Sequence, residues 1–308
     1  ALYLRLLKKR KHRGVLDFDL PESKIVLDAS GKPIEVKKAQ HWDSHRLIEE
    51  FMIAANSAVA RRARETNLPA LYRVHGTPEV EKIEDINLML KSLGLNSRIL
   101  EVTPRQMAKV LEETSKLRGA KTLHQLILRS QKQADYQHEP KGHFGLALKD
   151  YAHFTSPIRR YPDLVVHRAL KQLVIAGKNK RQDADKYRDK ADFESLGELC
   201  SRKERRAMEA ERFVVRRKQC WFFKERLGQE YTGIVCGVIE RGVFVELSDF
   251  AAEGFVPVDR MDGHFEFDPK RHLLRQRPGH TVISLGDTMK VVVENVDVEE
   301  GTITLHPV

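Results

Sequence analysis

The chain has 308 residues with 54 Lys and Arg against 44 Asp and Glu, a formal charge of +10. That length can bury a sizeable core and suits about two domains of ordinary size, and the charge favours a polyanionic partner. Cys200, Cys220 and Cys236 are widely spaced and form no CxxC pair, and no apolar run reaches the roughly 18 residues of a membrane span; these features exclude a disulfide scaffold, a zinc ribbon and a membrane protein, and predict a soluble protein of the reducing cytoplasm.

Residues 1 to 13, ALYLRLLKKRKHR, carry helical Leu spacing and six basic residues before any acid. They read as the end of a helix, with either a solvated tip or an RNA-facing patch. VLDFDL, KIVLD and PIEVKK follow, with Pro21-Glu22-Ser23 and Ser30-Gly31 as turns, and predict a three-stranded meander. Asp17 and Asp19 would share one strand face there, a pair more often solvated than metal-binding.

Asp43 is a plausible N-cap for a helix to about Glu65, with Leu47, Ile48, Phe51, Met52, Ala55 and Val59 at helical spacing. ALYRVH at 70 to 75 reads as a strand. Helices are expected at about 79–93, 104–117 and 121–134, with Pro78 and Pro104 at starts and Gly94 and Gly119 at ends.

Residues 143 to 168, HFGLALKDYAHFTSPIRRYPDLVVHR, are the most informative stretch. Pro157 and Pro162 fix φ and bias the residues before them away from the helical region, so Arg159 and Arg160 lie between two breaks. Two guanidinium forks, the hydroxyls of Thr155 and Ser156, and the Tyr161 ring suit a phosphodiester and its base. A solvated loop leading into a helix from about Asp163 is the plainer alternative.

HFGLAL followed by YAHFTSPIRRYPDL resembles the signature of the RNase II and RNase R family of processive 3′→5′ exoribonucleases. The resemblance implies that Arg159 contacts the scissile phosphate. It implies further that Glu49, first glutamate of LIEEFMIAAN, faces the ribose of the 3′ end, and that His75 lies near the nucleotide path; otherwise Glu49 is a polar-face residue and His75 a structural one. Thr155, Ser156, Arg160 and Tyr161 complete the expected RNA contacts around the signature.

A helix to about Ala176 then gives way to the charged segment 177 to 192, expected to be an exposed connection. Residues 193 to 227 predict one long helix. From Ser201 to Leu227 it has ten basic residues against four acids, too few to pair along the helix, which makes it a candidate wall of an RNA channel.

Residues 228 to 308 change to β patterning: YTGIVCGVIE, GVFVEL and GFVPV, then GDTMKVVVENVDVEEGTITL as a closing hairpin, five strands in the manner of an OB barrel. The closing pattern resembles the RNA-binding OB domain named for ribosomal protein S-one. That implies an RNA face, for which Arg241, Phe244, Phe255, His264 and Phe265 are the candidates. Arg241 and Val243 stand where many members have aromatics, and Pro257 where many have His, so weaker stacking and stronger electrostatic contact are expected.

The expected fold is therefore α+β: residues 1–227 as the mostly helical later part of an RNase II-type catalytic domain, and 228–308 as a five-stranded OB-fold barrel. The family holds Mg²⁺ with a DGxxAxDxDDA-like aspartate segment that is not found in residues 1 to 308, so by resemblance the metal's ligands belong upstream and this chain alone should be inactive. The expected role is part of a hydrolytic exoribonuclease releasing nucleoside 5′-monophosphates from single-stranded RNA, with structured RNA a further candidate partner and a monomeric state. The alternative is a non-catalytic RNA-binding module.

Overall fold

The computed structural model describes residues 2–18, 23–92, 95–115, 120–176, 190–269, 271 and 273–308. Gly94, Gly119, Asp19, the Pro21-Glu22 turn and most of the charged connection lie outside them.

Helix α1 (Leu2–Arg13) is followed by a two-stranded antiparallel hairpin, β1 (Ser23–Leu27) and β2 (Pro33–Lys38). Residues 15–18, the described part of the expected third strand at VLDFDL, are not part of it. Val15 and Leu16 are both buried, so the segment does not alternate, and Leu16 N–H bonds to Gly145 O at 3.0 Å instead of to a neighbouring strand. Asp17 pairs with Arg10 at 3.3 Å. Helix α2 (Asp43–Glu65) is capped from Trp42, one residue before the expected cap.

Strand β3 (Tyr72–Val74) pairs antiparallel with β4 (Asp135–Gln137). Between them, α3 (Val80–Ser92), α4 (Pro104–Thr114) and α5 (Ala120–Ser130) bury Ile86, Leu90, Met107, Val110, Leu123 and Ile127 in one core with Leu16 and Phe144. Thr103 caps α4 by accepting from Gln106 N–H, and Pro104 takes the first position, where a missing N–H costs nothing. A second core, of Ala60, Ala63, Leu68, Ala152, Val166 and Ala169, joins α2 to α6 (Tyr161–Ala176).

Helix α7 (Lys190–Lys224) has 35 residues, about 52 Å end to end, and is docked at both ends. Near its start Gly197 lies against Tyr136, where an added Cβ would sit 2.5 Å from the Tyr136 carbonyl oxygen. Ser201 there accepts from Tyr136 N–H at 2.9 Å. Near its end Cys220, Phe222 and Phe223 enter the core of the following barrel.

That barrel is closed by β5 (Glu230–Ile239), β6 (Gly242–Leu247), β7 (Ala252–Pro257), β11 (Thr288–Asp297) and β12 (Thr302–Pro307), in the order β11-β12-β7-β6-β5. Val235, Val243, Val245, Leu247, Val291, Val293 and Leu305 fill it. The five expected strands are all present. A three-stranded sheet inserted before β11, of β8 (Phe265–Asp268), β9 (Leu273–Gln276) and β10 (Val282–Ser284), was not anticipated. By packing, the boundary falls inside α7, because Phe223, Tyr231 and Phe250 meet edge to face at ring separations of 5.3 to 5.7 Å. Val36 of β2 shares the same core.

Candidate functional site

The Thr155–Arg160 segment is held by what lies beneath it. Pro157 and Ile158 form a turn in which Arg159 and Arg160 N–H both reach Ser156 O, at 3.3 and 3.1 Å. Asp163, in the first turn of α6, accepts Ser156 N–H and Arg160 Nη2 at 2.8 Å each. Its side chain is fully buried, where the helix N-terminus favours a negative charge. Arg160, one of the RNA contacts expected from the sequence, is thus the counter-ion of Asp163. Thr155 Oγ1, Arg160 Nε and Asp163 Oδ2 are buried without a partner among the described residues.

Arg159 is the opposite case. It is exposed, beside a fully exposed Ile158, and its guanidinium has no hydrogen-bond or ion-pair partner among the described residues. Tyr161 is about half exposed at the start of α6. An anion meeting this loop therefore finds one free planar donor on a braced turn.

Behind the loop lies a layer of rings and cations that sequence reasoning missed. Asn56 of α2 donates to Tyr151 OH at 3.1 Å and accepts Phe154 N–H at 3.0 Å, tying the helix to the segment before the turn. Tyr136 OH meets His153 Nδ1 at 2.8 Å. Arg73 bonds Glu204 at 2.6 Å and lies 4.7 Å over the Tyr136 ring. Burial first, and then the fields of Arg160, Arg73 and Arg159, push His153 down to about 3. His143 is pushed down to about 3 by burial first, and then by the neighbouring His75, Arg73 and His153. Both imidazoles are therefore neutral at neutral pH, and the local charge is set by the arginines. The signal for this layer was present in the alternation of Tyr151 and His153 and in Asp163 three residues after Arg160, a spacing that faces two side chains together.

The remaining predicted residues divide by place. Glu49 lies seven residues before Asn56, on the same face of α2, and meets His41 Nε2 at 3.0 Å with both side chains about half exposed. His75 is committed on both sides of its ring: Nδ1 accepts Gly145 N–H at 2.9 Å and Nε2 meets Lys132 O at 2.6 Å. It brackets the HFGL turn and has no ring nitrogen left for a nucleotide. On the barrel, Phe244 and Phe255 are cross-strand partners with centroids 5.0 Å apart. Their rings lie over Gly237 and Gly242, where an added Cβ would come within 3.0 and 2.8 Å of them. Arg241 is exposed at the adjoining turn. His264 is exposed, and Phe265, in the inserted sheet, is half-buried and packs against the barrel core.

The RNB domain family matches residues 1–176. The chain belongs to the RNB family. An S1 RNA binding domain matches residues 224–306, the barrel with the end of α7. Among curated RNB relatives, ribonuclease R of Aquifex aeolicus is 39% identical over 306 residues, which is 98% of this chain and 43% of that protein. Ribonuclease R of Escherichia coli is 38% identical over 308 residues, 98% of this chain and 38% of that one. The chain thus spans about two fifths of the length of these relatives. Among solved RNB structures, Mycoplasma genitalium RNase R in complex with ribose methylated single-stranded RNA superimposes with a TM-score of 0.91 at 25% identity, covering 100% of this chain and 48% of that one.

Among the described residues, the side chains do not fit a magnesium site. Among the described residues no three His, Cys, Asp or Glu converge as ligands. The buried aspartates Asp150 and Asp163 are each already bound to an arginine, Arg64 and Arg160.

Proposed function

We propose that these 308 residues are the phosphate-gripping part of a 3′→5′ exoribonuclease, and that Arg159 is the group that meets the scissile phosphate. The observation that carries this reading is the division of labour between neighbours: Asp163 pairs with Arg160 and fixes the turn, while Arg159 is exposed on it with no partner among the described residues. A guanidinium held ready for charge that develops on a phosphate, and uncompensated beforehand, stabilises the transition state more than the ground state. Ser156 and Thr155 shape the turn, Tyr161 offers a ring beside it, and Glu49 would take the ribose end of the substrate from the same helix that Asn56 anchors.

Single-stranded RNA is the proposed substrate, released as nucleoside 5′-monophosphates, with Phe244, Phe255 and Arg241 of the barrel holding the strand. The relative from Mycoplasma genitalium was captured with a ribose methylated single strand, which supports that choice. Magnesium is the proposed cofactor, its carboxylate ligands lying outside residues 1 to 308. A monomer in the reducing cytoplasm is the proposed setting, in keeping with three free cysteines.

The second reading, a non-catalytic RNA-binding module, is favoured by the lack of a converging donor set among the described residues. One experiment separates them. The full-length protein that contains these residues is assayed for 3′-end nucleotide release beside its Arg159→Ala variant and beside residues 1 to 308 alone. The proposal expects a fall in kcat of about a hundredfold or more for Arg159→Ala with little change in RNA affinity, and no release by the shorter chain. Normal turnover of the variant, or Mg²⁺-dependent release by residues 1 to 308, overturns it.

A further inference from the structure

Between its two docked ends, α7 has one face packed and the other bare. The packed stripe runs through Gly197, Ser201, Glu204, Met208, Val215, Gln219 and Phe222, all buried or half-buried. The opposite side of the helix, at about 3.6 residues per turn, carries Leu199, Arg202, Lys203, Arg206, Phe213 and Trp221, all exposed.

The composition of that outer stripe is unusual for a solvated helix. Arg202, Lys203 and Arg206 have no ion-pair or hydrogen-bond partner among the described residues. Phe213 and Trp221 are 46% and 37% exposed. Each has a cation beside its ring, Arg217 at 5.7 Å from Phe213 and Lys218 at 4.8 Å from Trp221. The stripe is about 33 Å long at 1.5 Å per residue. It starts one turn from Glu204, which holds Arg73 behind the Arg159 loop, and ends where Arg217 Nε bonds Val298 O of the barrel at 3.1 Å.

We infer that the outer face of α7 is a second RNA-binding track, one that takes the backbone phosphates on Arg202, Lys203 and Arg206 and bases on Phe213 and Trp221. Cations with no partner among the described residues, followed along the helix by exposed rings, match a polyanion that carries flat apolar groups, and ring stacking tolerates any base sequence. A purely apolar partner would leave the cations buried and unpaired. The track rests on the reading of this chain as an RNA-handling protein and adds to it a surface outside both matched domains over most of its length, since they end at residue 176 and resume at 224.

The chain has two tryptophans, Trp42 and Trp221, so Trp42→Phe leaves Trp221 as the sole reporter. The purified Trp42→Phe chain is titrated with a 20-nucleotide oligoadenylate, following Trp221 fluorescence and, separately, filter binding. The track predicts saturable quenching of Trp221 that salt reverses. Adding Arg202→Glu, Lys203→Glu and Arg206→Glu should lower affinity at least tenfold at low salt and flatten the slope of log K against log salt by about 2, at about 0.7 for each phosphate no longer neutralised, without moving the thermal melt. Binding on the filter with unchanged Trp221 fluorescence overturns the track and leaves the proposed function standing. So does an unaltered salt slope, or sedimentation showing this face covered by a second copy of the chain. No RNA binding by any measure overturns both. Should the triple variant fail to fold, the Trp221 quenching in the parent still decides.

Discussion

Asp163 and Arg160 form a 2.8 Å ion pair in which the carboxylate is wholly buried, and this pair selects which of two adjacent arginines meets solvent. Removing the acid leaves a guanidinium in a site built for a neutral pair. Asp163→Ala should cost about 3 kcal/mol of stability, as for other buried pairs broken on one side. Asp163→Ala with Arg160→Met should recover a substantial part of that. Urea denaturation of the two variants and the parent measures both quantities, and a double variant no more stable than the single one would show that the pair is not the cause.

Stability should fall with acid before the carboxylates titrate. His143 and His153, both pushed down to about 3, stay neutral in the folded chain while an unfolded histidine, near 6.5, takes up a proton. Between those values the unfolded state binds more protons, so stability is fully present above pH 6.5 and is lost as pH falls toward 3, by up to about 1.4 kcal/mol per pH unit for each histidine. His153→Gln should flatten this slope. Denaturant midpoints measured from pH 7.5 to 5 test it, and an identical slope in the variant would refute the assignment.

Gly197→Ala tests how α7 is docked. In a free helix the change gains about 1 kcal/mol. Here the new Cβ would fall 2.5 Å from Tyr136 O, so a net loss of about 1–3 kcal/mol is expected, as for overpacked sites. A more stable Gly197→Ala variant in thermal or chemical unfolding would mean that the contact is looser than described.

Two phenylalanines of the S1 domain should respond differently to the same substitution. Phe244→Ala should weaken binding of single-stranded RNA by about 1–3 kcal/mol with a small change in melting temperature, because its ring lies on the outer wall over Gly237. Phe265→Ala should lower the melting temperature and leave affinity nearly unchanged, because that ring packs on the barrel core. Parallel melts and RNA titrations of both variants check the contrast; equal losses of affinity would restore Phe265 to the RNA face.

What could be read from the sequence follows from the range over which each feature is determined. Periodicity over ten or more residues placed α2 to α7 within a few residues, and YTGIVCGVIE, GVFVEL, GFVPV and the closing GDTMKVVVENVDVEEGTITL hairpin placed the five barrel strands. The VLDFDL segment misled because alternation in six residues is satisfied equally by a strand and by an extended stretch, and only the distant Gly145 carbonyl decides between them. The inserted β8–β10 sheet was hidden for the same reason: its strands have only three or four residues each. At the site, the family resemblance pointed to Arg159 for the scissile phosphate and placed Arg160 among the other RNA contacts. Their difference depends on which way each side chain turns, and Asp163 settles that. His75 was invisible as a bracket, since the groups it holds, Gly145 N–H and Lys132 O, lie 70 and 57 residues away.

Phe222 and Phe223 belong by sequence to a helix and by contact to a barrel, with Phe223 fully buried among Tyr231 and Phe250. The helix is therefore a strut cemented at both ends, at Tyr136 near its start and at the barrel floor near its finish. Its 35 residues of unbroken backbone hydrogen bonding cannot stretch or fold back without breaking. The distance between the barrel and the β3–β4 layer becomes a dimension of the architecture, like the gap between the jaws of a fixed gauge. Any strand that touches both must have a minimum length, and that minimum is set by the strut and not by the letters of the strand.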